Sequence, residues 1–406
     1  MIRDFTDDEA RRALALKWGS VAPDVIPAWV AEMDYALAPP VADALAEAVA
    51  GGLTGYLRFA TDGPLGEAYA GFAARHFGHK VDPGLVIPTV DVTAGVRLAL
   101  DVLSEPGPMV LPLPAYHPQL DVAQITGREC IGLPVSPDAD RAVVDLDRLN
   151  RLFADGARTL LLTQPHNPCG HVHTRDELEG IRDVVLRHGA RVISDEIHAP
   201  LVLPGAEHVP YLSLEGTADH AVALVASSKA FNTPGLRCAQ IVSADPATHR
   251  RLAEVPMVRN DSWSPLGEVA AVAAYERGDA WLSSLVTRLD QLRTLLAELL
   301  ATHLPEARMR PLEATYLPWL DLRAYGHDDP TAVALERGVG LGGVDQERRA
   351  LLVVDGHHPL HRAGAGVERV GAGHAGLPER LERLVVRGAR AAVGVTVGAV
   401  DQRQVL

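Results

Sequence analysis

The feature that most constrains this chain is an alternation between residues 39 and 254. Short apolar runs of strand length, "PMVLPL", "ARTLLLT", "ARVISDE" and "AVALVASS", are interspersed with segments whose apolar residues recur at helical spacing. A strand with one face in water alternates apolar and polar residues, whereas a run that is apolar throughout must be covered on both faces. The pattern therefore predicts a mainly parallel sheet with helices on both sides. Helix punctuation agrees: "PPVADALAEAVAGG" opens on prolines and closes on glycines, and "GPLGEAYAGFAARHFG" repeats the design. "TAGVRLALDVLSEPG" stops at Pro-Gly, and Thr174 with Glu177 in "TRDELEGIRDVVLRHG" has the spacing of a capping box.

Beyond residue 264 the pattern turns mostly helical, through "LGEVAAVAAYERG" and "AWLSSLVTRLDQLRTLLAELLATHLP", before "ATYLPWLDLR" alternates like a strand. A chain of 406 residues also exceeds one ordinary core. The expected division is an N-terminal segment, 1–45, packing with the small domain; a large α/β domain, 46–280; and a smaller α+β C-terminal domain, 281–406. Residues 338–406 are atypical, dense in Gly, His and Arg, with helical spacing returning only in "LPERLERLVVRGARAAV". A formal charge of −14 argues against a nucleic-acid-binding surface. No uncharged apolar stretch is long enough for a membrane span, and "MIRDFTDDEARRALALKWG" does not read as a secretory signal. Cys130, Cys169 and Cys238 are scattered, which fits a reducing cytoplasm and no disulfide framework.

In an open α/β sheet, ligands gather at the carboxyl ends of the strands. "TLLLT" runs into "QPHNPCG" with Asn167, "RVIS" into "DEIHAP" with Asp195, Glu196 and His198, and "ALVA" into "SSK" with Lys229. Singly, each has an ordinary reading: turn chemistry for Asn167, a helix cap for Asp195, a solvated charge for Lys229. Together they place an amide, a carboxylate and an amine at three strand ends. The lysine is notable because the chain has only three, Lys17, Lys80 and Lys229, among 38 basic residues. Arg keeps its charge in any protein environment, while a buried Lys can become a neutral amine.

These residues, with "IPAWVAEMDYALAPPV", "LTGYLRF", "LPLPAYHPQ", "LLTQPHNPCGHVHTRDEL", "HGARVISDEIHAPLVL", "SSKAFNTPGLRCAQ" and "ATYLPWLDLR", resemble the fold-type-I pyridoxal 5′-phosphate (PLP) enzymes of the class I/II aminotransferase superfamily. "NPCG", "SDEIH" and "SSKAFN" together with "MDY" are most similar to the MalY/PatB branch of cystathionine β-lyases. The resemblance implies an aspartate aminotransferase-like fold whose large domain binds PLP. It makes Lys229 the Schiff-base lysine and the base at the substrate Cα. Asp195 would partner the pyridine nitrogen, Asn167 the 3′ oxygen and Tyr116 the ring face. The phosphate would take Ser227, Ser228, Arg237 and the helix start at Val92 and Thr93, where free N–H groups and the helix dipole favour an anion.

Tyr56 would reach the phosphate of a neighbouring subunit in a homodimer. His198 stands beside the cofactor, as a second-layer hydrogen-bonding residue or a catalyst. Trp29 either lines the substrate pocket or packs the N-terminal segment. The family binds the substrate carboxylate through G-x-G-F-x-R-x-N; the nearest stretch here, "GAGVERVGAG", makes Arg369 the candidate but lacks Phe and Asn. The resemblance implies β-elimination on an S-substituted L-cysteine, with a small amino acid as substrate. An aminotransferase shares every cofactor residue and stays open, as does a PLP-binding protein whose altered tail has lost catalysis. Arg237 looks like the aminotransferases, while "SSKAFN" looks like the lyases.

Overall fold

A computed structural model describes residues 2–56, 63–135, 139–260, 262–327, 329–342 and 396–398. In chain order the strands are β1 (Ile26–Ala28), β2 (Val86–Thr89), β3 (Met109–Leu113), β4 (Cys130–Pro134), β5 (Thr159–Thr163), β6 (Arg191–Asp195), β7 (Ala221–Val225), β8 (Ala239–Val242), β9 (Arg308–Met309), β10 (Trp319–Asp321), β11 (Val339–Leu341) and β12 (Thr396–Gly398). Seven of them form one sheet in the order β2-β8-β7-β6-β5-β3-β4. The four runs expected as strands are β3, β5, β6 and β7, which lie side by side and parallel. β8 runs antiparallel to both β7 and β2.

The sheet is buried on both faces, which explains the apolar runs. Val110, Leu160, Leu162, Val192, Ala223 and Val225 join one core cluster, while Met109, Leu111, Leu161, Ile193 and Leu224 join another. Successive residues of each strand thus feed opposite layers. The covering helices follow their local signals. Helix Arg175–His188 starts on the Thr174–Glu177 capping box and ends at Gly189, whose φ of 58° is left-handed. Helix Val92–Leu103 is capped by the Asp91 side chain, which accepts from the Ala94 N–H. Gly95 lets that helix lie directly on the sheet: a Cβ there would meet Leu224 Cδ1 at 2.5 Å.

The long helix Asp279–His303 serves two cores. Leu282, Leu285, Leu289 and Leu292 pack into the large one. Leu296 and Leu300 pack into a smaller one with Leu304, Leu320, Leu322, Ala334, Val339 and Ala28. The N-terminal segment enters this second core through β1, which pairs in parallel with β11, Ile26 opposite Val339. "ATYLPWLDLR" corrects the expectation of one alternating strand, because only Trp319–Asp321 joins a ladder. Its first half turns away: Ala314 N–H donates to Gly170, Thr315 N–H to Leu201, and Thr315 has a φ of 73°. That departure carries Tyr316 towards the strand ends. Among the described residues no helix is long and apolar enough to cross a membrane. Arg369 and the expected helix in "LPERLERLVVRGARAAV" lie outside the described residues.

Candidate active site

The parallel register brings the candidate residues to one edge of the sheet. Thr163, the last residue of β5, stands opposite Asp195, the last of β6, which in turn faces Leu224 of β7. Asn167 follows β5, Lys229 follows β7 and Tyr116 follows β3, each within four residues of its strand. The sequence folds this way because each apolar run must stay in the sheet, leaving the polar residues just beyond it at the rim.

Asp195 is buried. Its Oδ2 accepts from Gln119 Nε2 at 2.9 Å, and its Oδ1 accepts from the Ile197 N–H at 3.2 Å. Burial pushes its pKa up to about 6; these two donors pull against that rise, while the neighbouring Glu196 adds to it. Gln119 is itself held by Thr163, Nε2 to Oγ1 at 2.9 Å, so β5 fixes the residue that fixes Asp195. Glu196 turns the other way, into a closed network. It accepts from Gln164 Nε2 at 3.0 Å, Ser194 Oγ at 2.9 Å and the Tyr211 N–H at 3.0 Å, and His208 Nε2 lies 3.1 Å away.

The Lys229 amine donates to the Ala31 carbonyl at 3.0 Å. Burial lowers its pKa, and the negative charges of Glu32 and Asp195 partly oppose that shift. Asn167 sits in a tight turn in which Gly170 N–H donates to His166 and His166 N–H to His171, both at 2.7 Å. Only glycine fits at 170: φ is 66°, and a Cβ would meet Leu312 Cδ1 at 2.4 Å. Asn167 Nδ2 lies 3.4 Å from His198 Nε2. Burial, then the Lys229 charge, depresses the His198 pKa to about 3, so its ring is neutral and Nε2 can accept from the amide.

Arg237 has a left-handed φ of 56°, and its Nη2 pairs with Asp91 Oδ2 at 2.7 Å. It therefore stands at the start of helix Val92–Leu103, where the N–H groups of Val92 and Thr93 have no intrahelical acceptor. Ser227 is buried and Ser228 half-buried beside the lysine. Tyr116 is 43% exposed, with its pKa raised by burial and by the charges of Asp195 and Asp91. Trp29 Nε1 donates to the Lys17 carbonyl at 3.2 Å, which ties it to the packing of the N-terminal segment. Tyr56 is fully exposed and touches none of these residues in the single chain.

Three contributors were not singled out from sequence. Gln119 lies within the quoted "YHPQ", and nothing local in the sequence marks it as the partner of Asp195. Asn232, in "SSKAFN", reaches the segment 33–35: it accepts from the Met33 N–H at 3.0 Å and donates to Met33 and Tyr35 carbonyls at 2.7 and 3.2 Å. Tyr316 Oη donates to the Ala31 carbonyl at 3.0 Å. Nothing local in the sequence marks either of these long-range bonds.

An amine that burial biases toward neutrality, a buried carboxylate with a raised pKa, an amide and a cationic helix start define a site suited to an anionic aldehyde cofactor. The donor set fits PLP: a nucleophilic nitrogen, an acceptor for a protonated ring nitrogen, and an anion-binding end. The chain belongs to the aminotransferase class I and II family, whose model matches residues 24–350. It is 34% identical to the cystathionine β-lyase of Corynebacterium glutamicum over 82% of this chain and 88% of the relative. It is 32% identical to the cystathionine β-lyase PatB of Bacillus subtilis over 75% of this chain and 80% of that protein. The solved structure of cystalysin from Treponema denticola, which contains a pyridoxal 5′-phosphate cofactor, superimposes with a TM-score of 0.77 at 26% identity, covering 84% of this chain and 90% of that one. The fold is therefore PLP fold type I.

Proposed function

We propose that this chain is a PLP-dependent carbon–sulfur β-lyase of the cystathionine β-lyase type, cleaving an S-substituted L-cysteine to a thiol, pyruvate and ammonia. The observation that carries the reading is the Lys229 amine, desolvated at the strand ends within the field of Asp195, in a chain 34% identical to a cystathionine β-lyase. When bound, PLP supplies a sink for the electron pair left on the substrate Cα. Lys229 would hold the aldehyde carbon, Asp195 the ring nitrogen, Asn167 the 3′ oxygen and Tyr116 the ring face. Val92, Thr93, Ser227, Ser228 and Arg237 would hold the phosphate. Tyr56, exposed here, would complete that site in a neighbouring subunit, making the active unit a homodimer. Arg369 is proposed for the substrate carboxylate.

The chain's own residues then do the proton work. A lysine whose pKa is held below its ordinary value has more neutral amine at any given pH, which both a nucleophile and a base require. Lys229 takes the proton from Cα, the Cβ–S bond breaks with its electron pair going to sulfur, and water completes pyruvate and ammonia. Asp195, as a carboxylate, favours the protonated ring nitrogen, and Gln119 and the Ile197 N–H keep it aimed.

A second reading, aminotransferase, is favoured by one observation: Arg237 at the anion-binding helix start, a position that resembles the aminotransferases. The two are separated with L-cystathionine and no keto acid. The lyase gives pyruvate and homocysteine in equal amounts. Absence of both products, with turnover appearing once a keto acid is added, replaces the lyase reading by the aminotransferase one.

A further inference from the structure

The Ala31 carbonyl accepts two hydrogen bonds, from Lys229 Nζ and from Tyr316 Oη, both at 3.0 Å. The peptides that follow are tied down individually. Buried Lys17 donates to the Glu32 carbonyl at 2.9 Å and to Asp34 Oδ1 at 3.0 Å. Asn232 holds Met33 at both its N–H and its carbonyl, and Tyr35 at its carbonyl. Residues 31–35 thus form a strap across the lysine, and every tether but one comes from a group with no other task. The exception is Lys229, which must leave Ala31 when its nitrogen joins the cofactor's aldehyde carbon with loss of water. At that moment Tyr316 is, among the described residues, the one remaining donor to the Ala31 carbonyl.

We propose that Tyr316 is a positioning residue: its hydroxyl satisfies the Ala31 carbonyl while Lys229 is away, so that the strap stays in place and the amine is free to move between acceptor and cofactor. This rests on the PLP reading above. Without the hydroxyl, Lys229 would be the only donor to that carbonyl among the described residues, and each departure would leave a backbone acceptor without a protein partner there. An unpaired acceptor costs more than one of two shared bonds, so the lysine would be held back.

The test is PLP binding to the cofactor-free protein, measured by equilibrium dialysis, for wild type, Tyr316→Phe, Lys229→Ala and the double variant. Tyr316→Phe should bind PLP roughly tenfold more weakly, about the worth of one hydrogen bond. It should bind pyridoxine 5′-phosphate, which has no aldehyde and leaves the lysine on Ala31, as wild type does. In the Lys229→Ala background, where no departure occurs, Tyr316→Phe should change PLP affinity by less than about twofold. Equal PLP affinity for wild type and Tyr316→Phe overturns the proposal and leaves the PLP reading intact. Equal losses for both ligands, or an equal loss without Lys229, reduce Tyr316 to a structural residue and also overturn it. A wild-type protein that binds no PLP removes both.

A second measurement needs no variant. Amide hydrogen exchange at Met33 in wild type should stay as slow with PLP as without it. Faster exchange on PLP addition would mean the strap is released, contrary to the proposal.

Discussion

Asp195 is held where its neutral form is favoured, yet its proposed task requires the charge. A carboxyl whose folded pKa is raised from 3.8 to about 6 binds its proton more tightly in the folded chain than in the unfolded one. The stability this lends is present below pH 3.8 and is lost as pH rises through 6. Two pKa units correspond to about 3 kcal/mol that the ionised, cofactor-free chain forgoes at neutral pH. Asp195→Asn removes the buried charge but leaves one of the two donors, Gln119 or the Ile197 N–H, without an acceptor, which offsets about 1 kcal/mol. The cofactor-free variant should therefore be about 1–2 kcal/mol more stable than wild type at pH 8. The gain should vanish at pH 3.5, and PLP-dependent turnover should fall by orders of magnitude. Urea denaturation at the two pH values checks this; a variant equally or less stable at pH 8 contradicts the burial argument.

The helix Val92–Leu103 links packing to the site. Its contact with the sheet is set at Gly95, where an added Cβ would approach Leu224 Cδ1 at 2.5 Å and Thr89 Cγ2 at 3.2 Å. Gly95→Ala should lift the helix and cost about 1–3 kcal/mol, the usual range for overpacking a tight core. It should also weaken PLP binding, because the N–H groups of Val92 and Thr93 move relative to Arg237. Denaturation midpoints and a PLP titration report the two effects; an unchanged midpoint would mean that the close approach carries no strain. At this scale the elements are legible in the sequence where patterns are long. β3, β5, β6 and β7 and the helices with clear caps sit where their signals placed them. β2, β4 and β8 are not legible because "VIPT", "CIGLP" and "AQIV" are short and interrupted by Pro, Gly or Gln. "ATYLPWLDLR" misled because its period-two pattern is real, but Thr315 takes a backbone conformation that ends a strand.

At the scale of the molecule, the site joins segments that are far apart in the chain. Lys229, Asp195 and Asn167 were legible because each follows an apolar run, and parallel strands bring such ends together. The strap was not. Asn232 and Met33 are separated by 199 residues, and Tyr316 and Ala31 by 285, distances over which no periodicity carries information. Glu32, whose Oε2 is buried with no hydrogen-bond partner among the described residues, likewise gains meaning only from its neighbourhood to Lys229. The Ala31 carbonyl and the Glu32 charge bring this strap to one amine. The most direct measurement of the account is therefore the visible absorbance spectrum of wild type and Lys229→Ala after addition of PLP. Wild type should turn yellow and retain the colour through dialysis, while Lys229→Ala, folded by circular dichroism, should show only the spectrum of free cofactor. A colourless wild type, or a variant that holds the same colour as wild type, would contradict the assignment of Lys229 as the residue that carries the cofactor.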